Sequence, residues 1–179
     1  SSEGTPLSLT NLVNNSGVVA ADVTGVGTDK RLLAATGYGT DKAIFGYGYD
    51  TGNASITNLV SNSGVVATDT SGVGTARYGL AAARYGGDKA LFAYGYASGN
   101  VSLKNLVSNL GVVAADVSGV GTARQGVAAA GYGGDKAIFG YGSSHVSNLV
   151  SNTGVVAADV SGVGTSRQYL AAAGYSTSA

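Results

Sequence analysis

Short apolar segments recur along the chain, with glycine, asparagine, aspartate or serine between them. In one copy, residues 79–83 are small and apolar, residues 89–96 alternate apolar and aromatic side chains with small ones, and residues 102–107 and 112–117 are rich in leucine or valine. Runs of this length with β-branched and aromatic residues are typical of β-strands. A Gly-Gly-Asp turn at residues 86–88 is typical of a β-hairpin. The pattern therefore predicts four short strands in each copy.

The whole pattern is repeated at a nearly constant distance. The tripeptide Asn-Leu-Val begins at residues 11, 58, 105 and 148, so that the copies are 47, 47 and 43 residues apart. The shorter interval comes from a loop at residues 141–147, which has four residues fewer than residues 94–104. Loops tolerate such deletions, whereas strands do not. Four strands in a period of about 47 residues are typical of one blade of a β-propeller.

We therefore expect an all-β fold, a small propeller of four four-stranded blades in a single domain. The repeat units are about 8–29, 30–76, 77–123 and 124–166, with 167–179 as the closing strand. The sequence begins in a third strand and ends in a first strand, so pairing of the N- and C-terminal strands would close the ring. The closing blade would lack a second strand, which residues 1–7 would have to supply. The alternatives are a fragment of a longer ring, or a partner chain that supplies the strand.

Large and small side chains alternate in the predicted second strand. One face would carry Ala43, Phe45, Tyr47 and Tyr49, and the other would carry Ile44, Gly46 and Gly48. We expect the rings of one blade to fill the glycine side of its neighbour, because protein interiors are closely packed. The alanine-rich first strand would then lie nearest the axis.

Several residues of each unit resemble the Kelch-type propeller repeat. These are Arg77, the alanines at 81–83, the Gly-Asp-Lys turn at 87–89, Phe92, the Asn-Leu-Val strand at 105–107, and the next Arg124. The resemblance spans nearly the whole chain and implies a propeller. It departs from the family at residues 45–48, which replace paired glycines, and in the absence of tryptophan. The near-identical copies are also similar to highly repetitive propeller-like proteins of phages and environmental bacteria, which implies a tail-fibre or surface protein.

Composition narrows the classes of function. Ten basic and ten acidic residues give no net charge, so the chain has no electrostatic attraction for nucleic acids or anionic membranes. We expect neither as a partner. The absence of cysteine excludes disulfides, thiolate metal sites and thiol catalysis, and we expect no cofactor. It suits an extracellular or virion-surface protein, and it also suits many cytosolic ones.

No group of residues predicts catalysis or metal binding. The only histidine, His145, lies in the shortened polar loop with no orienting carboxylate nearby in the sequence. The Asp-Lys pairs at 41–42, 88–89 and 135–136 lie in predicted turns, where aspartate is common. Four aspartates that recur once per unit, Asp22, Asp69, Asp116 and Asp159, are candidates for a ring of carboxylates around a cation. None has the second acidic neighbour that a calcium site needs. We expect neither an enzyme nor a metal protein.

The tyrosines are the candidate ligand-binding residues. They recur at the end of the first strand and within the second strand, as Tyr38, Tyr85, Tyr132 and Tyr175, and as Tyr47, Tyr94 and Tyr141. An apolar ring with a polar tip suits recognition of a glycan or a protein, and it equally suits packing between blades. The cations before the first strand, which we interpret as donors to backbone carbonyls, are Lys30, Arg77, Arg124 and Arg167.

Two functions of different classes remain. The chain is either a non-enzymatic binding module or scaffold that presents repeated loops to a glycan or protein ligand, or a structural protein of a phage fibre or extracellular filament. In the first case multivalency strengthens binding. In the second case the partners are further copies of the chain.

Overall fold

The computed structural model describes residues 5–174 and is all-β, as the sequence predicts. The strands form three sheets, each of three antiparallel strands in sequence order. They are β1 (Ala34–Tyr38), β2 (Lys42–Gly46), β3 (Thr57–Val60), β4 (Ala81–Tyr85), β5 (Lys89–Ala93), β6 (Lys104–Val107), β7 (Ala128–Tyr132), β8 (Lys136–Gly140) and β9 (Ser147–Val150). The described residues form no helix, and therefore none that could span a membrane.

Each sheet begins with the hairpin that its turn residues predict. In the second sheet, β4 pairs with β5 in the register Tyr85↔Lys89. Gly86 and Gly87 of the turn have φ angles of +60° and +82°, which glycine adopts without steric cost. The predicted hairpin is confirmed, and β6 then pairs with the free edge of β5.

The second strand is shorter than the alternating pattern predicts. β5 ends at Ala93, because Tyr94 and Gly95 have φ angles of +65° and +112°. Two consecutive residues in the left-handed region cannot continue a strand. Tyr47 and Tyr141 share this conformation, with φ angles of +64° and +60°. The prediction that strand alternation extends through these tyrosines is therefore wrong.

The predicted fourth strand is not continuous. Residues 112–117 run antiparallel to β6, but only two isolated bridges connect them, Val107↔Val113 and Lys104↔Val117. From one bridge to the other, β6 advances three residues and its neighbour advances four. This extra residue is the signature of a β-bulge, which interrupts the ladder of hydrogen bonds. Bridges in the other three units show the same mismatch, so each sheet has three strands and an irregular fourth segment.

Consecutive sheets stack on one another through their first strands. β4 contacts both β1 and β7. The Gly39 amide donates to the Asp88 carbonyl at 2.7 Å, and the Gly86 amide donates to the Asp135 carbonyl at 2.7 Å. The same contact thus joins the first sheet to the second and the second to the third. Each sheet meets its neighbours in sequence, as in a repeat stack.

Aromatic rings fill the space between the sheets. Phe92 is fully buried, and its ring centroid lies 5.1 Å from that of Tyr47 in the preceding sheet. A Cβ atom on Gly46 would lie only 2.8 Å from Phe92 Cζ, so the glycine leaves room for the ring. The predicted packing of a ring against glycine is confirmed here. At the next interface Phe139 packs against Tyr94, with ring centroids 5.5 Å apart.

The stack is open, so the prediction of four four-stranded blades closed into a ring is wrong. Bridges at residues 7–30 join this segment only to itself. Residues 167–174 lie against the third sheet, where the Tyr169 amide donates to the Gly126 carbonyl at 2.9 Å. Within residues 5–174 no bridge joins the two segments. The first unit has no counterpart of β1 and β2 in this range, so the last segment has no strand to pair with. The rest of the predicted closing strand, residues 175–179, lies outside the described residues.

Candidate functional site

In each unit an asparagine of the third strand bonds across the bulge. Asn105 lies on β6 and is fully buried. Its Nδ2 donates to the Ala114 carbonyl at 3.0 Å and to Asp116 Oδ1 at 2.9 Å. Asn58 and Asn148 make the same pair of bonds at 2.8 to 3.1 Å. The side chain thereby bonds a backbone carbonyl within the interrupted ladder and fixes the position of the aspartate.

A fully buried arginine completes this group. Arg77 Nη2 donates to Asn105 Oδ1 at 2.7 Å, Nε donates to the Tyr94 carbonyl at 2.9 Å, and Nη1 donates to the Thr75 carbonyl at 3.0 Å. Nη1 also lies 3.9 Å from Asp116 Oδ1. A buried charge needs such a set of partners to offset its lost hydration. We refer to one such arginine or lysine, together with the asparagine, aspartate and threonine around it, as a polar cluster.

The same guanidinium covers a tyrosine of the preceding sheet. Arg77 Cζ lies 4.2 Å from the ring centroid of Tyr47, and Arg124 Cζ lies 4.0 Å from that of Tyr94. A cation over an aromatic face is attracted by about 2 kcal/mol when both are shielded from water. Each arginine therefore links its own unit to the unit before it.

The polar cluster is repeated along the stack. Arg124 makes the same three hydrogen bonds as Arg77, at 2.6 to 3.0 Å. The predicted bonds to backbone carbonyls are thus confirmed for both arginines. In the first sheet Lys30 takes the equivalent position and donates to Asn58 Oδ1 at 2.7 Å. A lysine ammonium is a point charge without the planar fork of arginine.

A threonine from the connecting segment holds the aspartate. The Thr75 amide and Oγ1 donate to Asp116 Oδ2 at 2.9 and 2.7 Å. Burial acts to raise the pKa of Asp116, but hydrogen bonds from Thr75 and Asn105 outweigh it and hold the pKa below its ordinary value. The pKa values of Asp69 and Asp159 are lowered as well.

We expect acid to weaken the stack through these aspartates. A carboxyl group whose pKa is lower in the folded chain contributes stability above its unfolded pKa, and this contribution is lost as the pH falls through the folded pKa. The denaturation midpoint in urea should therefore fall as the pH is lowered from about 5 to about 2. Thr75→Val should reduce this fall, because the variant lacks the hydroxyl donor to Asp116.

Thr165→Val is the matched control for this measurement. Thr165 occupies the equivalent repeat position and is exposed. Measured in dilute solution, this variant should follow the pH curve of the unchanged protein. The curve of Thr75→Val should lie below the others at neutral pH and converge with them in acid. A parallel offset at every pH would show that the Thr75 hydroxyl does not lower the pKa of Asp116.

The tyrosines predicted to bind a ligand lie in different environments. Those with no more than 4% of their surface exposed are Tyr38, Tyr47, Tyr85 and Tyr94. Tyr132 is 36% exposed and Tyr141 is half-buried, and both belong to the third sheet or its edge. Tyr175 lies outside the described residues. The packing alternative accounts for the four buried rings, and ligand binding by the set stays a prediction.

An open groove runs along the first strands of the three sheets. Its volume is about 1070 Å³, and alanines of β1, β4 and β7 form much of its lining. Arg84, Tyr132 and Lys136 also line it. Arg84 Nη2 donates to the Gly39 carbonyl at 2.8 Å, so this cation also ties the second sheet to the first. The groove is large enough for a small-molecule ligand or a short peptide.

The other candidates for chemistry are dispersed. His145 is exposed in the loop between β8 and β9. Lys89 Nζ lies 3.1 Å from Asp88 Oδ1 within their turn, and Asn109 Nδ2 donates to Asp88 Oδ2 at 3.1 Å. Over residues 5–174, no three histidine, aspartate or glutamate side chains lie close enough together to hold a metal ion. The four recurring aspartates, Asp22, Asp69, Asp116 and Asp159, each accept a hydrogen bond from a different asparagine, so that each belongs to a separate polar cluster.

Sequence reasoning missed the threonine and the asparagine of the polar cluster. Both are marked by constant spacing. A threonine stands two residues before each recurring cation, at 28, 75, 122 and 165. An asparagine stands eleven residues before each recurring aspartate, at 11, 58, 105 and 148. A polar residue kept at one spacing in every unit indicates a shared structural contact.

No family model and no curated protein matches this chain. The resemblance to Kelch-type repeats therefore stays a prediction that rests on the residues quoted for it.

Proposed function

We propose that the protein is a structural repeat module that associates with further copies of itself through the ends of its stack. One observation carries this proposal. Val13 is 62% exposed, whereas Val107, at the equivalent position two units later, is fully buried. The sheets within the stack cover this position, but the described residues provide no sheet to cover it at the N-terminal end.

Both ends of the stack expose apolar side chains. At the N-terminal end they are Leu9, Leu12, Val13 and Val19, which are more exposed than the equivalent residues of the inner units, and at the C-terminal end they are Val163 and Tyr169. Contiguous exposed apolar surface marks an interaction site. An uncovered edge with few charges also readily pairs with another chain, and only 11% of the residues are charged. Association through the exposed apolar surface or through the uncovered edge does not require a catalytic group.

Sedimentation velocity tests this function. We expect the mean sedimentation coefficient of the chain to rise between about 1 and 100 µM, the range in which weak specific contacts become populated. High salt should weaken the association only partly, since apolar burial is insensitive to screening. A single monomeric species over the whole range would contradict the proposal.

A binding module is the second candidate, and the groove along the first strands favours it. The exposed ring of Tyr132 lines the groove together with Lys136 and Arg84, and an apolar face combined with hydrogen-bond donors suits a glycan. A glycan array with the purified chain tests this function. Tyr132→Ala should abolish any signal that arises in the groove, while Tyr169→Ala, at an exposed tyrosine outside the groove lining, should leave that signal unchanged.

A further inference from the structure

The C-terminal end of the stack carries the donor half of a polar cluster. Arg167 Cζ lies 3.9 Å from the ring centroid of Tyr141, as Arg77 and Arg124 lie over their tyrosines. The Gly142 amide donates to the Arg167 carbonyl at 3.0 Å. The corresponding bonds to the carbonyls of Arg77 and Arg124 are both 2.9 Å. The backbone and ring contacts of the inner clusters thus also hold Arg167.

The N-terminal end carries the acceptor half. Asn11 Nδ2 donates to the Ala20 carbonyl at 3.1 Å and to Asp22 Oδ1 at 2.8 Å. These distances match those of Asn58 in the next unit, 3.1 and 2.8 Å. The bulge bridges Val13↔Val19 and Thr10↔Val23 are present as well. The acceptor half is therefore formed in the same geometry without its cation.

Each half of the cluster lacks the partner that the other half carries. Arg77 and Arg124 are fully buried, whereas Arg167 is exposed. Asn105 and Asn148 are fully buried, whereas Asn11 and Asp22 are exposed. Among residues 5–174, no cation donates a hydrogen bond to the side-chain oxygen Oδ1 of Asn11. In the same range no asparagine or aspartate side chain accepts a hydrogen bond from the guanidinium of Arg167. One end therefore lacks an acceptor and the other lacks a donor.

We propose that the C-terminal end of one copy binds the N-terminal end of a second copy by completing this polar cluster. Arg167 donates to Asn11 of the second copy, and Thr165 donates to Asp22 of the second copy. Thr165 stands two residues before Arg167, and Asn11 stands eleven residues before Asp22, as in the inner clusters. Arg167 is positively charged and Asp22 is negatively charged, so the two ends attract each other. The inference rests on the proposed self-association and specifies its partner, polarity and residues.

This contact joins different surfaces of the two copies, so it is heterologous and propagates along a row of copies or closes an intermolecular ring. It is weaker than the inner interfaces. The N-terminal segment has no second strand in the described range, so it provides no equivalent of the Tyr94 carbonyl that accepts from Arg77 Nε. Because this acceptor is missing, we expect the end-to-end association in the micromolar range in which the unchanged chain is to be measured.

Two variants, each blocked at one end, test the inference. Arg167→Ala removes the donor end and keeps the acceptor end, whereas Asp22→Lys does the reverse. Each variant alone should sediment as a monomer over the range in which the unchanged chain associates. An equimolar mixture should form a one-to-one complex and nothing larger, because only one productive pair of ends remains. Native mass spectrometry of one isotope-labelled variant would identify that complex.

The controls separate this inference from the proposed function. Circular dichroism and thermal unfolding should be unchanged in both variants, since both side chains are exposed. Arg167→Lys should retain part of the association, because Lys30 makes the equivalent bond. A monomeric unchanged chain would overturn both proposals. If the unchanged chain associates and Arg167→Ala associates as well, or if the mixture stays monomeric, the end-to-end contact alone would be overturned.

Discussion

Replacing Arg77 with leucine is expected to lower the free energy of unfolding by about 3 to 5 kcal/mol, the usual cost of removing one member of a buried ionic group. The leucine fills part of the volume but leaves Asn105 Oδ1 and the Tyr94 carbonyl without their donor. A buried acceptor without a partner costs about 1 to 3 kcal/mol. The Tyr47 ring also loses the cation above it. Urea denaturation, together with amide exchange of the second sheet, measures the loss.

Two further variants, Arg77→Lys and Arg167→Leu, are controls for this result. Arg77→Lys should cost less, because Lys30 shows that an ammonium can reach the asparagine of a unit. Arg167→Leu should be close to neutral for the folded monomer, since Arg167 is exposed although it covers a tyrosine in the same way. Equal losses in Arg77→Leu and Arg167→Leu would mean that stacking on the ring, and not the buried hydrogen bonds, carries the energy.

Replacing Phe92 with alanine should also cost about 3 to 5 kcal/mol, as for large aromatic residues removed from a core. Phe92 is fully buried, and its ring fills the space that Gly46 leaves in the preceding sheet. Its loss opens a cavity between two sheets that the backbone cannot close, because hydrogen bonds such as Gly39 to Asp88 hold them at a fixed distance. Urea denaturation at neutral pH gives the change.

The same chain offers graded controls for Phe92. Phe45 stands at the equivalent position of the first sheet but is only half-buried, so Phe45→Ala should cost about 1 to 2 kcal/mol. Lys89→Ala should change stability by less than about 0.5 kcal/mol, because Lys89 is exposed and pairs only within its turn. A loss at Phe45 equal to that at Phe92 would contradict the open N-terminal end of the stack.

Features that depend on neighbours in sequence could be predicted from the sequence. The hairpin between β4 and β5 follows from Gly86 and Gly87, whose left-handed φ angles only glycine adopts freely. The ends of strands were harder to predict. Nothing in the alternating run of residues 89–96 indicates that Tyr94 has a φ angle of +65°. The ring of Tyr94 packs against Arg124 and Phe139, which lie much later in the sequence.

Only part of the polar cluster could be predicted from the sequence. The recurring cations were expected to bond backbone carbonyls, and Arg77 and Arg124 do so. Their side-chain partners were missed because Asn105 lies 28 residues from Arg77. The bulge that brings Asp116 beside them looks like an ordinary strand, since residues 112–117 carry the valine and alanine that a continuous strand would carry.

The repeat, the all-β class, the hairpins and the recurring cation of each unit follow from the sequence alone, because each depends on local chemistry that every copy shares. The open stack, by contrast, is seen only in the arrangement of the sheets in space. Near-identical copies give Arg77 and Arg167, or Val107 and Val13, similar local sequences. One member of each pair is buried and the other is exposed, because burial depends on whether a neighbouring sheet is present and not on the residue or its flanking sequence.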